Sequence, residues 1–385
     1  MANALIGELE RDLGGRRDEG LYRIRRTLQS AQGTRAIVDG VSVLTFASND
    51  YLALASDPTL IAAACEGAAR WGVGAGASHL AGGHQAPHAQ LEARIAEFVA
   101  PGTKALLFST GYLANLAIVT ALADRETAVF ADRLNHACLN DAVLLSRAQH
   151  VRYPHGDMGA LAARLNASKA RRKVIATDAV FSMDGDIAPL PAVLELAEAH
   201  DAWLVVDDAH GFGVLGNGRG TPAHFGLRSD RIVHMGTLGK AAGVAGAFAC
   251  AHPAVIETIV QRARPYVFTT AAPALLACAL LASLGLIEQG DSRRERLVRS
   301  VGRLRERLAG LHFTLLPSQT PIQALVVGDN APAVALSLHL WSHGLYVPAI
   351  RPPTVPRGTA RLRISLSAAH TDDDIDALAA ALHAF

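Results

Sequence analysis

Short apolar runs alternate with helical stretches through the middle of the chain. The runs occupy residues 105–109, 127–131, 150–153, 174–178, 203–207 and 232–236. Residues 203–206 (WLVV) are continuously apolar rather than alternating between apolar and polar positions, as expected of a strand that is buried on both faces of a parallel sheet. Strands that alternate with helices predict an α/β fold with a mostly parallel central sheet flanked by helices.

The two ends of the chain have different patterns. The first 30 residues predict an Arg-rich amphipathic helix, and residues 36–47 predict a hairpin about Asp39-Gly40. Helices are expected after Asp57-Pro58 and over residues 87–99 and 113–123. A long charged helix is expected over residues 293–311, and it is followed by strands and helices at 322–327, 332–343, 361–366 and 372–385. We predict an N-terminal helix and hairpin segment (1–45), a large α/β domain (46–288) and a smaller C-terminal α+β domain (289–385).

Charge and cysteine content exclude several classes of protein. The 385 residues include 36 Lys and Arg against 35 Asp and Glu, a formal net charge of +1. Nucleic-acid binding usually needs a concentrated basic face, so no nucleic-acid partner is predicted. The four cysteines show no CxxC spacing, which favours reduced thiols and a cytoplasmic location. The N-terminal segment lacks the apolar core of a signal peptide.

An uncharged segment at residues 265–287 is long enough to span a bilayer. It contains Pro265, Pro273, two threonines and many alanines, which keep its hydrophobicity modest. A buried helix is therefore expected, with no membrane partner.

Polar residues follow the apolar runs at the positions where strands of the predicted sheet end. Ligands of open α/β sheets bind at the carboxyl ends of the strands, so these residues are expected to form one site. The set comprises Ser109, Thr110, Gly111, Tyr112, Asp132, His136, Asp178, Ser182, Asp207, Asp208, His210, Thr237 and Lys240.

Lys240 is the strongest catalytic candidate of this set. It is one of four lysines in the sequence and lies in a loop of small residues, 237–246, that contains no other charge. A lysine amine that loses solvation has a lowered pKa, and the neutral amine can form a Schiff base with an aldehyde. Small neighbours also leave room for a flat cofactor.

Three further positions suit pyridoxal phosphate (PLP). Asp207 ends an apolar run and could pair with the protonated ring nitrogen of the cofactor, while His210 could bind its phenolic oxygen. Gly111 and Tyr112 open a predicted helix, whose N-terminus suits a phosphate. An ordinary helix cap remains an alternative for Gly111 and Tyr112, whereas Gly211 and Gly213 make a helix after Asp207 improbable.

The sequence also contains features of two other kinds of ligand site, one for a dinucleotide and one for a metal ion. Residues 211–216 match G-x-G-x-x-G, but a dinucleotide site requires a helix to begin within the motif, and residues 217–222 are helix-breaking. Asp207, Asp208 and His210 could ligate a metal, yet no second histidine cluster at ligand spacing was recognised, and no metal is predicted.

Six motifs make the chain recognisable as a member of a known family. They are residues 48–52 (SNDYL), 181–186 (FSMDGD), 206–211 (VDDAHG), 237–241 (TLGKA), 349–356 (AIRPPTVP) and 358–363 (GTARLR). Over residues 13–385 the chain resembles the α-oxoamine synthases, homodimeric PLP-dependent enzymes of fold type I. The resemblance implies decarboxylative condensation of an amino acid with an acyl thioester, and residues 351–356 indicate L-alanine and a pimeloyl thioester of CoA or a carrier protein. Glycine with a short acyl-CoA is the alternative.

The resemblance also implies roles for individual residues. Lys240 would hold PLP as a covalent Schiff base and serve as the catalytic base, and His136 would stack on the ring and contact substrate. The remaining cofactor residues would be Gly111, Tyr112, Ser182, Asp207, His210 and Thr237. Arg363 would bind the amino acid's carboxylate, with Asn49 near the substrate.

For the acyl substrate, the resemblance implies Arg23 (or Arg25) and Thr354. Thr269 or Thr270 would reach the partner subunit's phosphate. Residues 72–83 depart from the family pattern, which leaves the acyl-chain contacts there open, and Thr110 stands where Ser is usual.

Overall fold

The computed structural model describes residues 4–385. Its contacts divide the chain into two compact units. Unit 1 extends to Tyr51 and adds Met183–Gly185 and Glu295–Phe385, whereas unit 2 comprises Leu52–Ser182 and Asp186–Arg294. Compactness does not test whether a segment folds by itself, so the boundaries placed after residues 45 and 288 stay a prediction.

The regular elements are numbered in chain order. The helices are α1 (Ala4–Asp18), α2 (Pro58–Trp71), α3 (Ala86–Val99), α4 (Gly111–Leu122), α5 (Ala137–Ser146), α6 (Met158–Ala167), α7 (Leu190–Ala199), α8 (Thr221–His224), α9 (Pro253–Arg262), α10 (Arg264–Val267), α11 (Ala274–Glu288), α12 (Asp291–Arg307), α13 (Asn330–Ser342) and α14 (Asp372–His383). The strands are β1 (Arg35–Val38), β2 (Val41–Thr45), β3 (Lys104–Phe108), β4 (Thr127–Asp132), β5 (Gln149–Tyr153), β6 (Arg172–Asp178), β7 (Ala202–Asp207), β8 (Ile232–Thr237), β9 (Ala247–Ala251), β10 (Thr314–Leu315), β11 (Ile322–Gly328), β12 (Leu345–Tyr346), β13 (Ala349–Ile350) and β14 (Ala360–Ser365).

Unit 2 is built on a seven-stranded sheet in the order β3-β9-β8-β7-β6-β4-β5. The pairs from β8 through β5 are parallel, and β9 runs antiparallel to both of its neighbours. The predicted α/β fold with a mostly parallel sheet is therefore confirmed. The sequence pattern did not predict β9, because three of its five residues are alanine, which has a low strand propensity.

Both faces of this sheet are buried. Val205 packs into one apolar cluster with α4 and α5, whereas Leu204 and Val206 pack into another with α6 and α7. Successive side chains of a strand point to opposite faces, so a sheet covered on both sides requires the continuous apolar runs seen in the sequence.

Unit 1 contains the smaller sheets. One has the order β10-β11-β14-β13, and all of its pairs are antiparallel. In the other, β1 and β2 form an antiparallel hairpin, and β12 pairs with β2 in parallel. The hairpin predicted about Asp39-Gly40 is confirmed, with φ of 50° and 80° at these two residues, as a tight primed turn requires. Helix α1 is shorter than expected and ends at Asp18, and Gly20 follows at φ 65°.

The uncharged segment at residues 265–287 overlaps α10 and α11. Seven of the fifteen residues of α11 are buried. Among residues 4–385, no single helix is both long and apolar enough to cross a membrane. Helices α11 and α12 pass such a test only as a pair, by length and composition, and their axes bend by 68° at the break between them.

The glycine run at residues 211–216 has a packing explanation. A Cβ on Gly211 would lie 2.1 Å from Oδ1 of Asp208 and 2.2 Å from Oγ1 of Thr221. The carboxylate of Asp208 accepts hydrogen bonds from both the backbone and the hydroxyl of Thr221 and faces His234 Nε2 at 2.9 Å. The run continues into a single 3-10 turn at Gly216–Gly218 rather than a helix, so it lacks the helix that a dinucleotide site needs.

Candidate active site

A cavity of about 210 Å³ opens at the carboxyl end of the unit 2 sheet. Its lining includes every residue that was predicted to bind the cofactor, together with four others. The lining residues are Gly111, Tyr112, His136, Cys138, Asp178, Ser182, Asp207, Ala209, His210, Met235, Thr237 and Lys240. Five elements, α4, α5, β6, β7 and β8, and their adjoining loops thus bring together groups that lie up to 129 positions apart, from Gly111 to Lys240. The roles assigned to these residues stay predictions.

Asp207 is the buried carboxylate of this cavity. Its Oδ2 accepts a 2.6 Å hydrogen bond from Nδ2 of Asn115, and its Oδ1 accepts a 3.0 Å bond from the backbone N–H of Ala209. Asp178 is its neighbour on the adjacent strand and is also buried. Burial raises the pKa of both carboxyls, and the charge of Lys240 opposes this rise. A buried acidic pair beside one ammonium favours a further cationic partner.

Asn115 is a functional candidate that the sequence analysis missed. It lies on α4, is fully buried, and its Nδ2 also lies 3.1 Å from Sγ of Cys138. Its Oδ1 has no hydrogen-bond partner among the described residues, although buried polar atoms are nearly always paired. One feature of the sequence could have identified it. Asn115 is an amide residue one turn into an otherwise apolar helix, shortly after Gly111 and Tyr112, the predicted phosphate-binding residues.

Lys240 faces His210 across the cavity, with 3.1 Å between Nζ and Nε2. The loop around Lys240 is held by Thr237, whose Oγ1 donates to the carbonyl of Gly246 at 3.1 Å. The neighbours Gly239, Ala241 and Ala242 carry no polar side chain. The amine therefore lies beside an imidazole, and it lines the cavity within reach of a ligand there.

His136 begins α5 and is fixed on two sides. Its backbone N–H donates to Oδ1 of Asp178 at 3.0 Å, and its Nδ1 lies 2.8 Å from Sγ of Cys138. Burial and the charge of Asp207 raise the pKa of Cys138, so its thiol stays protonated and donates to Nδ1. In the neutral ring the proton is then on Nε2.

The start of α4 provides an anion-binding end for the cavity. Thr110 caps the helix, with its Oγ1 accepting from the N–H of Leu113 at 3.2 Å. The first N–H groups of a helix have no intrahelical acceptor and carry the positive end of its dipole. Thr237 adds a hydroxyl group near this end of the helix. A Cβ atom built on Gly111 would lie 3.9 Å from the Cβ of Thr237.

Three kinds of group therefore surround one cavity: helix N–H donors at Gly111 and Tyr112, a buried carboxylate at Asp207 and an amine at Lys240. They match in kind the phosphate, the protonated ring nitrogen and the aldehyde of PLP. The residues present fit that cofactor. The hydroxyl of Tyr112 donates to Asp141, which raises the pKa of Tyr112.

An ion-paired histidine that the sequence analysis also missed supports the cavity from outside its lining. His155 Nδ1 lies 3.1 Å from Asp132 at the end of β4, and its Nε2 lies 2.9 Å from Asp186 in the loop after Ser182. These two carboxylates raise the pKa of His155 to about 10. Its charged ring therefore holds together the segments that carry His136 and Ser182.

The residues predicted to bind the amino acid lie together in unit 1. Arg363 on β14 is buried, and its guanidinium donates to Oδ1 of Asn49 at 3.0 Å and to Oγ of Ser365 at 2.7 Å. The hydroxyl of Tyr51 lies 3.4 Å from the same guanidinium, and burial raises the pKa of that phenol. A guanidinium held in this way can form two parallel hydrogen bonds with a carboxylate.

Two residues predicted to contact the acyl substrate also meet in unit 1. Arg23 and Thr354 lie 331 positions apart, and Nη2 of Arg23 is 3.4 Å from Oγ1 of Thr354. Arg351 fixes the chain beside Arg23 by donating to the carbonyl oxygens of Gly20 and Tyr22. Arg25, the alternative to Arg23, is exposed.

Thr270 makes an isolated bridge with Ser78 of the glycine-rich segment. The expectation that Thr269 or Thr270 reaches a partner's phosphate stays a prediction.

Comparison with known proteins agrees with this geometry. Residues 41–382 match the family model of class I and II aminotransferases. A relative from Herminiimonas arsenicoxydans, named 8-amino-7-oxononanoate synthase, is 58% identical over 382 residues, which are 98% of each chain. The structure of serine palmitoyltransferase from S. paucimobilis with a bound PLP–myriocin aldimine has a TM-score of 0.93 at 30% identity, covering 100% of this chain and 98% of that one. The structure of 8-amino-7-oxononanoate synthase from Francisella tularensis has a TM-score of 0.77 at 31% identity, covering 89% and 97%.

Proposed function

The chain belongs to the class I and II aminotransferase family, in the branch of its relatives named 8-amino-7-oxononanoate synthase, and on that premise we propose that it condenses L-alanine with a pimeloyl thioester. The products are 8-amino-7-oxononanoate, carbon dioxide and the free thiol of CoA or a carrier protein, and the step belongs to biotin biosynthesis. PLP is the cofactor. The observation that carries this proposal is the cavity in which Lys240, Asp207 and the start of α4 meet.

PLP, when bound, withdraws electrons from the Cα of the amino acid and so makes its proton removable. Asp207 supports this role by holding the ring nitrogen protonated, and Asn115 and Ala209 hold Asp207 in place. Lys240 anchors the cofactor covalently at rest. Once released, its amine moves the Cα proton as the general base.

His136 orients the acyl group in this proposal. Its Nε2–H can donate to the oxygen of the ketone that forms, because the bond at Nδ1 fixes that tautomer. Ser182 and His210 bind the cofactor from the sides of the cavity, and Gly111, Tyr112 and Thr237 bind its phosphate.

The substrate residues of unit 1 complete the assignment. Arg363 binds the carboxylate of alanine, because a guanidinium can form two parallel hydrogen bonds with a carboxylate. Arg23 and Thr354 bind the acyl donor. The enzyme is proposed to be a cytoplasmic homodimer.

The choice of substrates needs its own test, because the structural likeness to serine palmitoyltransferase, with its TM-score of 0.93, exceeds that to the Francisella synthase. Turnover is measured with L-alanine, glycine and L-serine, each against pimeloyl-CoA and a short acyl-CoA. We expect L-alanine with pimeloyl-CoA to give the highest kcat/KM. A preference for glycine with the short acyl-CoA assigns the chain to the alternative reaction.

The cofactor assignment is tested on the purified protein. Its visible absorbance is recorded before and after reduction with borohydride, and the reduced protein is mapped by tryptic digestion. We expect the reduced cofactor on the peptide that contains Lys240. Lys240→Ala should abolish both the label and turnover, whereas Lys104→Ala, at an exposed lysine on β3, should leave both unchanged. A label that survives Lys240→Ala would refute the assignment.

A further inference from the structure

Three histidines of unit 2 form a cluster outside the cavity described above. His79 lies in a 3-10 turn, His84 follows that turn, and His88 is in the first turns of α3. The donor nitrogens of these three side chains all lie within 4.8 Å of one another. We propose that His79, His84 and His88 bind a divalent transition-metal ion, for which Zn²⁺ is the best fit.

The spacing of the donor atoms suits such an ion. Zn–N bonds of 2.0–2.1 Å in a tetrahedral site place two nitrogens about 3.3 Å apart. Nδ1 of His79 and Nδ1 of His84 lie 2.9 Å apart. The centroids of the three rings are 5.2, 5.2 and 5.7 Å apart, a nearly equilateral arrangement in which each ring can turn one nitrogen to a common centre.

The chemistry of the three side chains also suits such an ion. Imidazole nitrogen is a preferred ligand of Zn²⁺, and three histidines with one open position form a known type of zinc site.

Two of the rings already have the outer partners that ligating histidines have. His88 donates Nε2–H to the carbonyl of Ala272 at 2.9 Å, which leaves Nδ1 as its ligand atom. That Nδ1 accepts from the backbone N–H of Gln85 at 3.0 Å, a bond that the ion would replace. Nε2 of His84 lies 3.8 Å from Oε2 of Glu92, so ligation through Nδ1 of His84 directs its remaining proton to a carboxylate.

Glu92 places a carboxyl group next to the cluster. Its Oε1 accepts a 3.0 Å hydrogen bond from the backbone N–H of Leu107, which fixes the side chain beside His84. A mainly apolar cavity of about 260 Å³, lined by His79 and His88 among others, reaches the cluster and leaves room for a water as the fourth ligand.

The test is a Zn²⁺ titration of the full-length enzyme after dialysis against a chelator, read by competition with a chromophoric zinc chelator. We expect one ion per chain. His84→Ala removes an exposed ligand without opening the core and should weaken binding at least tenfold. Glu92→Gln should weaken it about tenfold, because the carboxylate next to Nε2 of His84 orients that ring. Each titration is repeated on the PLP-free protein, so that zinc held by the cofactor is recognised.

A second pair of histidines provides the matched control. His339 lies near the end of α13 and His343 directly follows that helix, with ring centroids 4.4 Å apart. His343→Ala should leave the zinc affinity unchanged. Binding that survives His84→Ala, or that is lost in His343→Ala, would overturn the proposal. Absence of stoichiometric zinc binding by the unmodified chain would overturn it as well. None of these three results bears on the PLP chemistry of Lys240.

Discussion

At the scale of single residues, the ionisation of Asp207 depends on a neighbour that does not itself need to touch substrate. Nδ2 of Asn115 donates to Asp207 at 2.6 Å within a fully buried environment. A donor favours the charged carboxylate, whereas burial favours the neutral acid. Asn115 is therefore one of the groups that lower the pKa of Asp207 against the effect of burial, together with Lys240, the backbone N–H of Ala209 and His136.

Replacement of Asn115 by Ala should raise the pKa of Asp207 further, because it removes a donor to the charged form. We expect a loss of about tenfold in PLP affinity and in kcat/KM, as removal of one hydrogen bond to a charged group, about 1.5 kcal/mol, implies. The acidic limb of the pH profile should move to higher pH. Asn166→Ala, at an exposed asparagine on α6, is the control. An unchanged acidic limb would show that Asn115 does not act on Asp207.

Gly211 provides the second prediction at this scale. A Cβ there meets two oxygens at about 2 Å, those of Asp208 and Thr221, so Gly211→Ala must break a buried network. We expect the free energy of unfolding to fall by about 3 kcal/mol. Gly302→Ala is the matched control on α12, where nothing lies within 4 Å of the added Cβ, and should raise stability by roughly 0.5–1 kcal/mol. Urea unfolding of both variants measures the difference, and equal stabilities would contradict the explanation given for the glycine run.

At the scale of elements, the end of β4 and the loop after Ser182 are joined by one charged ring. His155 lies between Asp132, which is almost fully buried, and Asp186. Asp132 also accepts from the backbone N–H groups of Leu134 and Gly156, so it organises the turn that leads to His136. The imidazolium thus holds both the turn and the loop, and through them two residues of the cavity.

The stability that His155 supplies should depend on pH. Its pKa is raised from 6.5 to about 10 in the folded chain. The contribution is therefore fully present below pH 6.5 and is lost as pH rises through 10. We expect His155→Gln to lower the free energy of unfolding by about 2 kcal/mol at pH 6.5, a value that allows for solvent screening of the partly exposed pair.

That difference between the variant and the unmodified chain should shrink steadily toward pH 10. Urea unfolding at pH 6.5, 8 and 9.5 measures it. His343→Gln serves as an exposed control and should show no such trend. A gap that stays constant across this range would exclude the charged form of His155 as its cause.

The elements also show what a sequence pattern can predict. The six predicted runs correspond to β3 to β8, because strands buried on both faces leave a strong signal in the sequence; the edge strand β5 is the exception, and only its last residue is buried. The strand β9 left no such signal, since three of its five residues are alanine, which has a low strand propensity. The helix expected over the first 30 residues stops at Asp18, because the glycines and the backbone contacts of Arg351 govern the segment that follows.

The residues of the candidate site likewise divide into those that the sequence predicts and those that it misses. Lys240, Asp207 and His136 follow strand ends, a position that the topology of the sheet makes informative. Asn115 and His155 were missed because their importance comes from a partner far away in sequence, 92 positions for Asn115 and Asp207. The histidines at 79, 84 and 88 were missed because one of them lies in a turn, which no helical or strand periodicity reveals.

At the scale of the whole molecule, an exposed apolar face on α1 provides a place to test the proposed homodimer. Helix α1 contains no buried residue. Ile6, Leu9 and Leu13 are 50%, 59% and 42% exposed, and their spacing of three and four positions places them on one face of the helix. Water-exposed apolar stripes of this kind are usually covered by another chain. The proposed homodimer offers a second copy of this chain for that purpose.

The double substitution Leu9→Gln and Leu13→Gln tests this assignment while preserving helix propensity. Burial of a leucine contributes about 1.5–3 kcal/mol, so loss of two should raise the dimer dissociation constant by well over tenfold. Sedimentation across a range of concentrations measures that constant. Leu338→Gln, a leucine of similar exposure on α13 (55%), should leave it unchanged. A dimer that is equally tight in the double variant would place α1 outside the interface, and a chain that is monomeric throughout would refute the proposed dimer.

The same variant shows whether PLP binding depends on the partner. If the dissociation constant rises as expected while the PLP absorbance of the separated chains stays intact, the cavity of unit 2 binds its cofactor without help from the partner. If the absorbance falls together with the dimer, the partner contributes to the phosphate site, as expected for Thr269 or Thr270.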